Sequence, residues 1–153
     1  MNFEALKNIR NELELTQEDI AKILNVKRGT YASWECASDI IPLNQLYKLA
    51  EYYQINIDYL VGLSKKKHKV HCNKELNKKE IASNLFNIRK KLNMAQLPFA
   101  KSLNINQSTY WAYEHGKTLI TTTTLITLAK TYNYSIDQIL NRTKKGSLSV
   151  FYD

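Results

Sequence analysis

The chain contains one stretch of sequence twice, and this internal duplication constrains its fold more than any other feature. When residues 9–62 are placed on residues 88–141 without gaps, at an offset of 79, 18 of the 54 positions carry the same residue. Self-similarity at a fixed offset indicates one structural unit used more than once. The duplication therefore predicts two copies of one small domain, joined by a linker and followed by a tail.

The apolar residues within each copy recur at helical spacing. Leu6, Ile9 and Leu13 are three and four residues apart, and the second copy repeats this pattern at Leu85, Ile88 and Leu92. Such spacing places the side chains on one face of a helix. It predicts helices near 3–14, 17–24, 28–36, 43–53 and 56–62, and again 79 residues later, with the only candidate strand at Leu148–Tyr152.

Polar residues at the expected helix ends support these assignments. Thr16 precedes Gln17-Glu18-Asp19 and is a suitable N-cap for a second helix. Asn25 tolerates the left-handed conformation that can end this helix and turn the chain. We also expect a capping box formed by Asn77 with Glu80, and caps for the fifth helices from Asn56 and Ser135.

Charge is distributed unevenly along the chain, which has a net charge of +8. The repeat sets provisional boundaries at 1–64 for the first domain, 65–77 for a basic linker, 78–143 for the second domain and 144–153 for the tail. Residues 1–64 carry a net −3, residues 65–80 carry +5 and residues 81–153 carry +6. This asymmetry indicates either an anionic partner that is held unevenly or ordinary solvated lysines.

Several classes of protein are disfavoured by the sequence. The chain has no apolar run of the roughly 20 residues that span a bilayer, and its N-terminus does not resemble a signal peptide. Cys36 and Cys72 are expected to be free thiols in a reducing cytoplasm. His68, His71 and Cys72 lack a fourth metal ligand. The sequence has no catalytic set and no phosphate-binding glycine loop, so we expect a non-enzymatic protein. Together with the free thiols and the missing fourth ligand, this predicts a cytoplasmic protein without metal or cofactor.

The segment from Thr16 to Glu35 is the most informative for function. Ala21 is small where a second helix must approach, and Tyr31 and Trp34 direct one face of the next helix into the core. Arg28, Gly29, Ala32 and Ser33 are left facing outward. Two helices joined by a short turn, with small and polar residues exposed on the second, suit entry into the major groove of DNA.

This segment resembles the phage-repressor-like (XRE-type) helix-turn-helix family. The resemblance rests on residues 15–21, 26–35 and 46–60 of the first copy, and on Gln96, Phe99-Ala100, 105–114 and 125–140 of the second. It implies an all-α chain with two tandem five-helix, lambda-repressor-like domains whose third helices read double-stranded DNA. It also implies structural pairs between Arg10 and Glu35 and between Arg89 and Glu114.

The resemblance also indicates which residues would contact DNA. Gln17 and Gln96, which open the second helices, would meet phosphates, and the start and middle of each third helix would read bases. Arg28 has donors suited to guanine and Gln107 has groups suited to adenine, whereas Lys27 and Lys117 suit phosphates. The predicted DNA-binding residues are Thr16, Gln17, Lys27, Arg28, Gly29, Thr30 and Ser33 in copy one, and Gln96, Asn106, Gln107, Ser108, Thr109, Trp111, Ala112 and Lys117 in copy two.

Four points stay open here. Trp111 is expected either to touch a thymine methyl or to contact another domain or partner. The second copy departs from the family pattern, because Ala95 replaces the cap and Pro98 removes an amide from the first turn, which puts its phosphate contact in doubt. The leading hypothesis is a transcriptional regulator, with repression favoured. The alternative is a protein-interaction module or antitoxin with little DNA binding in the first domain. The alternating tail at Leu148–Tyr152 also offers a strand through which two chains could pair as a homodimer.

Overall fold

The computed structural model describes residues 3–143, which form ten α-helices and no named strand. The all-α prediction is therefore confirmed for this part of the chain. The described residues divide into two compact units, one ending at His71 and the other beginning at Cys72. The tail and the candidate strand at Leu148–Tyr152 lie outside the described residues. Among residues 3–143, no helix is both long enough and apolar enough to cross a bilayer.

The first unit contains five helices around one apolar core. Leu6, Ile20, Tyr31, Leu46 and Leu49 are almost completely buried, and they come from four different helices. Burial of each such side chain contributes about 1.5–3 kcal/mol to stability. The apolar residues that recur at helical spacing in the sequence thus form the core of this unit. The helices are α1 (Glu4–Glu12), α2 (Gln17–Leu24), α3 (Arg28–Glu35), α4 (Leu43–Tyr53) and α5 (Ile57–Leu60).

The ends of α2 are fixed by the residues that the sequence indicates. The Thr16 hydroxyl accepts a hydrogen bond from the Asp19 amide at 3.1 Å, and the Asp19 carboxylate accepts one from the Thr16 amide at 2.8 Å. This reciprocal capping box satisfies two amides at the start of the helix. Asn25 ends the helix in the left-handed conformation, with φ 54° and ψ 49°. The predicted cap and turn are both confirmed.

The prediction that the Asn56 side chain caps α5 is wrong. Its amide nitrogen donates to the carbonyl oxygen of Lys66 at 3.2 Å, and its amide oxygen accepts from the His68 amide at 2.8 Å. Val70 is buried, and its amide donates to the carbonyl oxygen of Gln54 at 2.9 Å. Residues 65–70, called the basic strap below, therefore lie along the junction between α4 and α5.

The second unit repeats the five-helix arrangement around Leu85, Phe99, Tyr110 and Leu128, which are all fully buried. Its first helix is longer than its counterpart, because Asn77 caps a start several residues ahead of the position equivalent to Glu4. Glu80 does not close the expected capping box; its carboxylate accepts from the side chain of Asn141 at 3.0 Å. The helices are α6 (Lys78–Lys91), α7 (Gln96–Ser102), α8 (Gln107–Glu114), α9 (Thr122–Tyr132) and α10 (Ile136–Ile139).

Candidate nucleic-acid interface

The α2–α3 and α7–α8 pairs are built by the same local sequence rules. Ala21 is buried between packed helices, and its carbonyl oxygen accepts from the Val26 amide at 2.9 Å as the chain turns. In the second unit Asn104 takes the same left-handed conformation, with φ 58°, and the Ile105 amide donates to Ala100 at 3.1 Å. In both units a short turn therefore joins the packed second helix directly to the exposed third helix.

A buried ion pair ties the end of each exposed helix to the first helix of its unit. The guanidinium of Arg10 donates to both carboxylate oxygens of Glu35, from Nε at 2.9 Å and from Nη2 at 2.7 Å. Arg89 binds Glu114 in the same way at 2.8 and 2.7 Å. The structural pairs implied by the family resemblance are thus present in both units.

The charge of each arginine decides the ionisation of its partner. Burial alone would raise the pKa of Glu35, but the hydrogen bonds and charge of Arg10 outweigh it, and the pKa of Glu35 is lowered. Burial opposes ionisation of Glu114 too, and the hydrogen bond from Arg89 leads the interactions that lower its pKa. Both carboxylates are therefore held ionised near neutral pH.

Gln17 extends this network to the outer surface in the first unit only. Its amide nitrogen donates to Glu35 at 3.4 Å, while its amide oxygen accepts from Arg28 Nη2 at 3.1 Å. Gln96 makes the equivalent bond to Glu114 at 3.3 Å, but Gln107 stands where the first unit has Arg28. The sequence identifies Gln17 and Arg28 as separate contacts and does not reveal that they are joined.

The outward face of α3 offers little side-chain bulk. Lys27, Arg28 and Gly29 are exposed, and Thr30 and Ser33 are half-buried. The hydroxyl of Ser33 donates to the Gly29 carbonyl at 3.0 Å, which leaves its lone pairs available for an incoming donor. A Cβ atom on Gly29 would have no neighbour within 4 Å, so this part of the helix is open to close approach.

The outward face of α8 is larger and uncharged. Gln107 and Ser108 are exposed, as is Asn106, while Thr109 and Ala112 are half-buried. Asn106 has a structural role that sequence reasoning missed. Its amide oxygen accepts from the Thr109 amide and from the Ser108 hydroxyl, both at 2.8 Å, so it caps α8. An Asn directly before a predicted helix is the signal that could have shown this.

Trp111 forms a stacked pair with His115 on the exposed side of α8. The two ring centroids are 4.2 Å apart, with an interplanar angle of 21°. The His115 ring is also held by a 2.8 Å hydrogen bond between Nδ1 and the carbonyl oxygen of Trp111. Although 43% of Trp111 is exposed, its orientation is therefore restricted by a second ring.

The surroundings of the two exposed helices differ in charge. In the first unit the acidic Glu18 and Asp39 are exposed, as are the basic Lys27 and Arg28. Between residues 95 and 121 of the second unit, the one acidic residue is Glu114, and Arg89 neutralises it. Lys117 is exposed just beyond α8, where its amide donates to Ala112 at 2.9 Å.

The start of the second helix also differs between the units. The side chains of Thr16 and Asp19 accept hydrogen bonds from backbone amides at the start of α2, whereas Ala95 has no side chain that could cap α7. Pro98 lies in the first turn of α7 and contributes no amide. In the first unit Gln17 is bonded to Arg28 and Thr16 is engaged in the cap of α2. In the second unit Gln96 donates to Glu114, whose charge Arg89 neutralises. Among residues 3–143, no cluster of three metal-ligating side chains is present.

Comparison with known proteins points to one family. A family model described as helix-turn-helix matches the chain twice, at residues 6–60 and 85–139. The chain is also 31% identical over 64 residues to a protein of Bacillus subtilis (strain 168) described as the uncharacterized HTH-type transcriptional regulator YobD. That match covers 42% of this chain and 57% of the relative, so the chain spans little more than half the relative's length. No solved structure matches significantly.

Proposed function

Because the chain belongs to the helix-turn-helix family, through two matches that together span most of its length, we propose that it is a sequence-specific DNA-binding transcriptional regulator that represses its targets. The observation that carries the proposal is the recurrence of one exposed, neutral-to-basic helix in each unit, anchored by the same buried Arg–Glu pair. Anchoring matters because a reading helix must hold its side chains in a fixed geometry against base edges.

In the first unit, Arg28 is the proposed base reader and Gln17 its support. A guanidinium has five N–H donors, and one of those of Arg28 is engaged by Gln17. The remaining donors suffice for guanine O6 and N7 in the major groove. Lys27, which precedes Arg28, is the proposed phosphate contact, and Gly29, Thr30 and Ser33 complete the proposed surface against the groove.

In the second unit, Gln107 is the proposed adenine reader. Its amide offers one donor group and one acceptor, the pattern that matches adenine N7 and N6. Ser108, Thr109 and Ala112 line the same helix, and Lys117 contacts the phosphate backbone. Asn106 fixes the start of the helix through its cap, with its amide nitrogen left for a DNA acceptor.

Both units are proposed to dock on one duplex. Successive major grooves on one face are roughly 34 Å apart. The 18 residues from 63 to 80 would reach about 60 Å when fully extended, but residues 66–70 make hydrogen bonds to the first unit. With the strap in place, the connection between the units is short, because Cys72 already donates from Sγ to the carbonyl oxygen of Asn141 at 3.6 Å. Docking therefore relies on the dimensions of the units as well. Release of the strap would extend this reach.

The test is selection of duplexes from a random-sequence pool by the full chain, followed by footprinting. A single chain should protect two adjacent helical turns, and Arg28→Ala should remove protection from one of them. Tyr52→Ala is a suitable control, because Tyr52 is an exposed side chain of α4 outside the reading helices. Absence of sequence enrichment at low salt would refute the DNA-binding proposal, and protection of one turn unaffected by Arg28→Ala would refute docking of both units.

A second candidate applies to the first unit alone, namely a protein-binding or antitoxin-like role with little DNA contact. It is favoured by Glu18 and Asp39, which would repel phosphates near α3. The substitution Glu18→Lys separates the two functions. If the first unit approaches DNA, affinity should rise and the salt dependence should steepen by about one unit, because the new lysine can neutralise one phosphate. Glu75→Lys makes the same charge change at an exposed residue ahead of α6 and serves as the control.

A further inference from the structure

The Trp111–His115 pair is found in one unit only and is not needed to build the fold. The first unit has Ala32 and Cys36 at the equivalent positions, yet α3 and α8 have the same length and are held by the same ion pair. A stacked aromatic pair on a solvent-facing helix therefore calls for a role other than folding. Its position, one turn after Gln107 on the same helix, places it beside the proposed adenine reader.

The geometry of the pair makes Trp111 a fixed apolar projection. The carbonyl oxygen of Trp111 can only accept, so His115 Nδ1 must be the donor of the 2.8 Å hydrogen bond. This bond and the 4.2 Å stacking distance hold the two rings together. A side chain that is ordered before binding loses less conformational entropy when it meets a ligand. The neighbouring Ala112 is small and half-buried, so its side chain adds little bulk next to Trp111.

The surface around Trp111 fits a nucleic acid better than a protein partner. Gln107 and Ser108 precede it by one turn, and Lys117 follows the helix. The nearby carboxylate, Glu114, is neutralised by Arg89. An apolar side chain among hydrogen-bonding groups and a lysine matches the major groove at a T·A pair, where the C5-methyl group of thymine is the apolar feature.

We infer that Trp111 is a specificity-determining residue that reads the C5-methyl group of thymine, with His115 as its positioning residue. This inference rests on the proposed DNA-binding function. Four helical residues span about 6 Å and base pairs are about 3.4 Å apart, so the thymine lies about two base pairs from the adenine read by Gln107. 5-Methylcytosine presents the same C5-methyl group, so duplexes that carry this base provide a second, independent test of methyl recognition.

The experiment measures binding of the full chain to a selected duplex in which each thymine is replaced, one at a time, by deoxyuridine. At one thymine near the Gln107 site the wild-type chain should bind roughly fourfold more weakly, the factor expected when one buried methyl group is removed. Trp111→Ala should bind both duplexes equally. Phe86→Ala, which removes another exposed aromatic side chain of the same unit, should keep the fourfold difference.

A second set of duplexes carries cytosine or 5-methylcytosine, paired with guanine, at the same position. If the methyl group is recognised, the methylated duplex should be preferred by a similar factor. If thymine is recognised through its other groups instead, methylation should have no effect, and the inference would be overturned.

The role of His115 is tested by fluorescence, because Trp34 is 4% exposed and Trp111 is 43% exposed. His115→Ala should make Trp111 more accessible to acrylamide in the free protein and reduce the discrimination between thymine and deoxyuridine. His115→Phe should restore part of both effects, because it keeps a ring to stack on. A structural role alone would change stability without changing methyl discrimination.

The outcomes separate this inference from the proposed function. Failure of the chain to select any duplex would refute DNA binding itself. The chain could bind DNA and yet show no thymine whose methyl effect is abolished by Trp111→Ala. That result would leave the proposed function intact and overturn the inference. If Trp111→Ala instead changed the oligomeric state of the chain and left DNA discrimination unaltered, Trp111 would be a protein contact.

Discussion

Arg10 and Glu35 join the first helix of the first unit to the end of its exposed helix by two parallel hydrogen bonds, of 2.9 and 2.7 Å. The third donor of Arg10 reaches the carbonyl oxygen of Leu15 at 2.8 Å, so the guanidinium also fixes the chain just before α2. One side chain thus sets the relative positions of three elements. The position of the proposed reading helix depends on a pair that never needs to touch DNA.

Removing one member of this pair should destabilise the first unit strongly. Arg10→Met leaves the Glu35 carboxylate buried without its partner, and such losses cost about 3–5 kcal/mol. The exposed pair between Lys67 and Glu12, also at 2.7 Å, provides a control. Lys67→Met should cost about 1 kcal/mol or less, because that pair is solvated. Chemical unfolding followed by the emission of the buried Trp34, in chains that also carry Trp111→Phe, measures both losses. Equal losses would contradict this account.

Acid should destabilise both units for the same reason. The pKa values of Glu35 and Glu114 are lowered in the folded chain, so the unfolded state binds protons more readily. The stabilisation is complete above the unfolded pKa of about 4.3 and is lost as the pH falls through the lower folded values. Thermal melts between pH 3 and 7 should show this loss. In Arg10→Met, the part of the acid dependence that comes from the first unit should be reduced.

Two glycines should respond in opposite directions to alanine. Gly29 lies within α3 with open space around its Cβ position, so Gly29→Ala should stabilise the first unit by about 0.5–1 kcal/mol. Gly116 has φ +63°, and a Cβ atom there would lie 3.6 Å from the Lys78 carbonyl oxygen. Because the left-handed conformation costs alanine about 1–2 kcal/mol, Gly116→Ala should destabilise the second unit. Thermal unfolding of the two variants checks this prediction, and a loss of stability in Gly29→Ala would contradict it.

The helices could be predicted closely from sequence where local signals and burial agree. Thr16, Asn25 and Ser135 act as the sequence predicts, because each satisfies or terminates a helix using neighbouring backbone groups. Tyr31 is fully buried and Trp34 nearly so, because the apolar face of an amphipathic helix packs against the core. These features depend on residues within a few positions of one another.

Apart from the Arg–Glu pairs, which the family resemblance implies, features that depend on distant residues could not be predicted. Asn56 was expected to cap a helix, but the basic strap offers its amide both a donor and an acceptor. Glu80 binds Asn141, which is 61 positions away. In the candidate interface, sequence indicates the outward face of each third helix but not the bond between Arg28 and Gln17. A polar side chain has several possible partners, and only the folded chain selects among them.

Base reading and phosphate binding should be separable in the second unit. Gln107→Ala should lose about 1–3 kcal/mol at its own base pair and relax specificity there, because a bidentate contact is removed. Lys117→Ala should weaken binding to all sequences and lower the salt slope by about one unit. Competition binding with point-substituted duplexes at several salt concentrations measures both effects. Unchanged affinity and preference in Gln107→Ala would show that α8 is not the reader.

The last prediction concerns the division of positive charge between the units. Residues 1–64 carry a net −3, but the four lysines of the basic strap bring residues 1–71 to +1, whereas residues 72–153 carry +7. Nonspecific affinity for DNA depends on the counterions that such charges release. A fragment of residues 72–153 should therefore bind a labelled duplex more tightly than residues 1–71, with a steeper salt dependence.

Residues 1–64 should bind most weakly and lose stability as well, because Val70 and the bonds to Asn56 are removed with the strap. Fluorescence anisotropy, with circular dichroism to verify that each fragment is folded, decides the order. Tighter binding by residues 1–71 would show that the first unit is the principal anchor despite its lower charge.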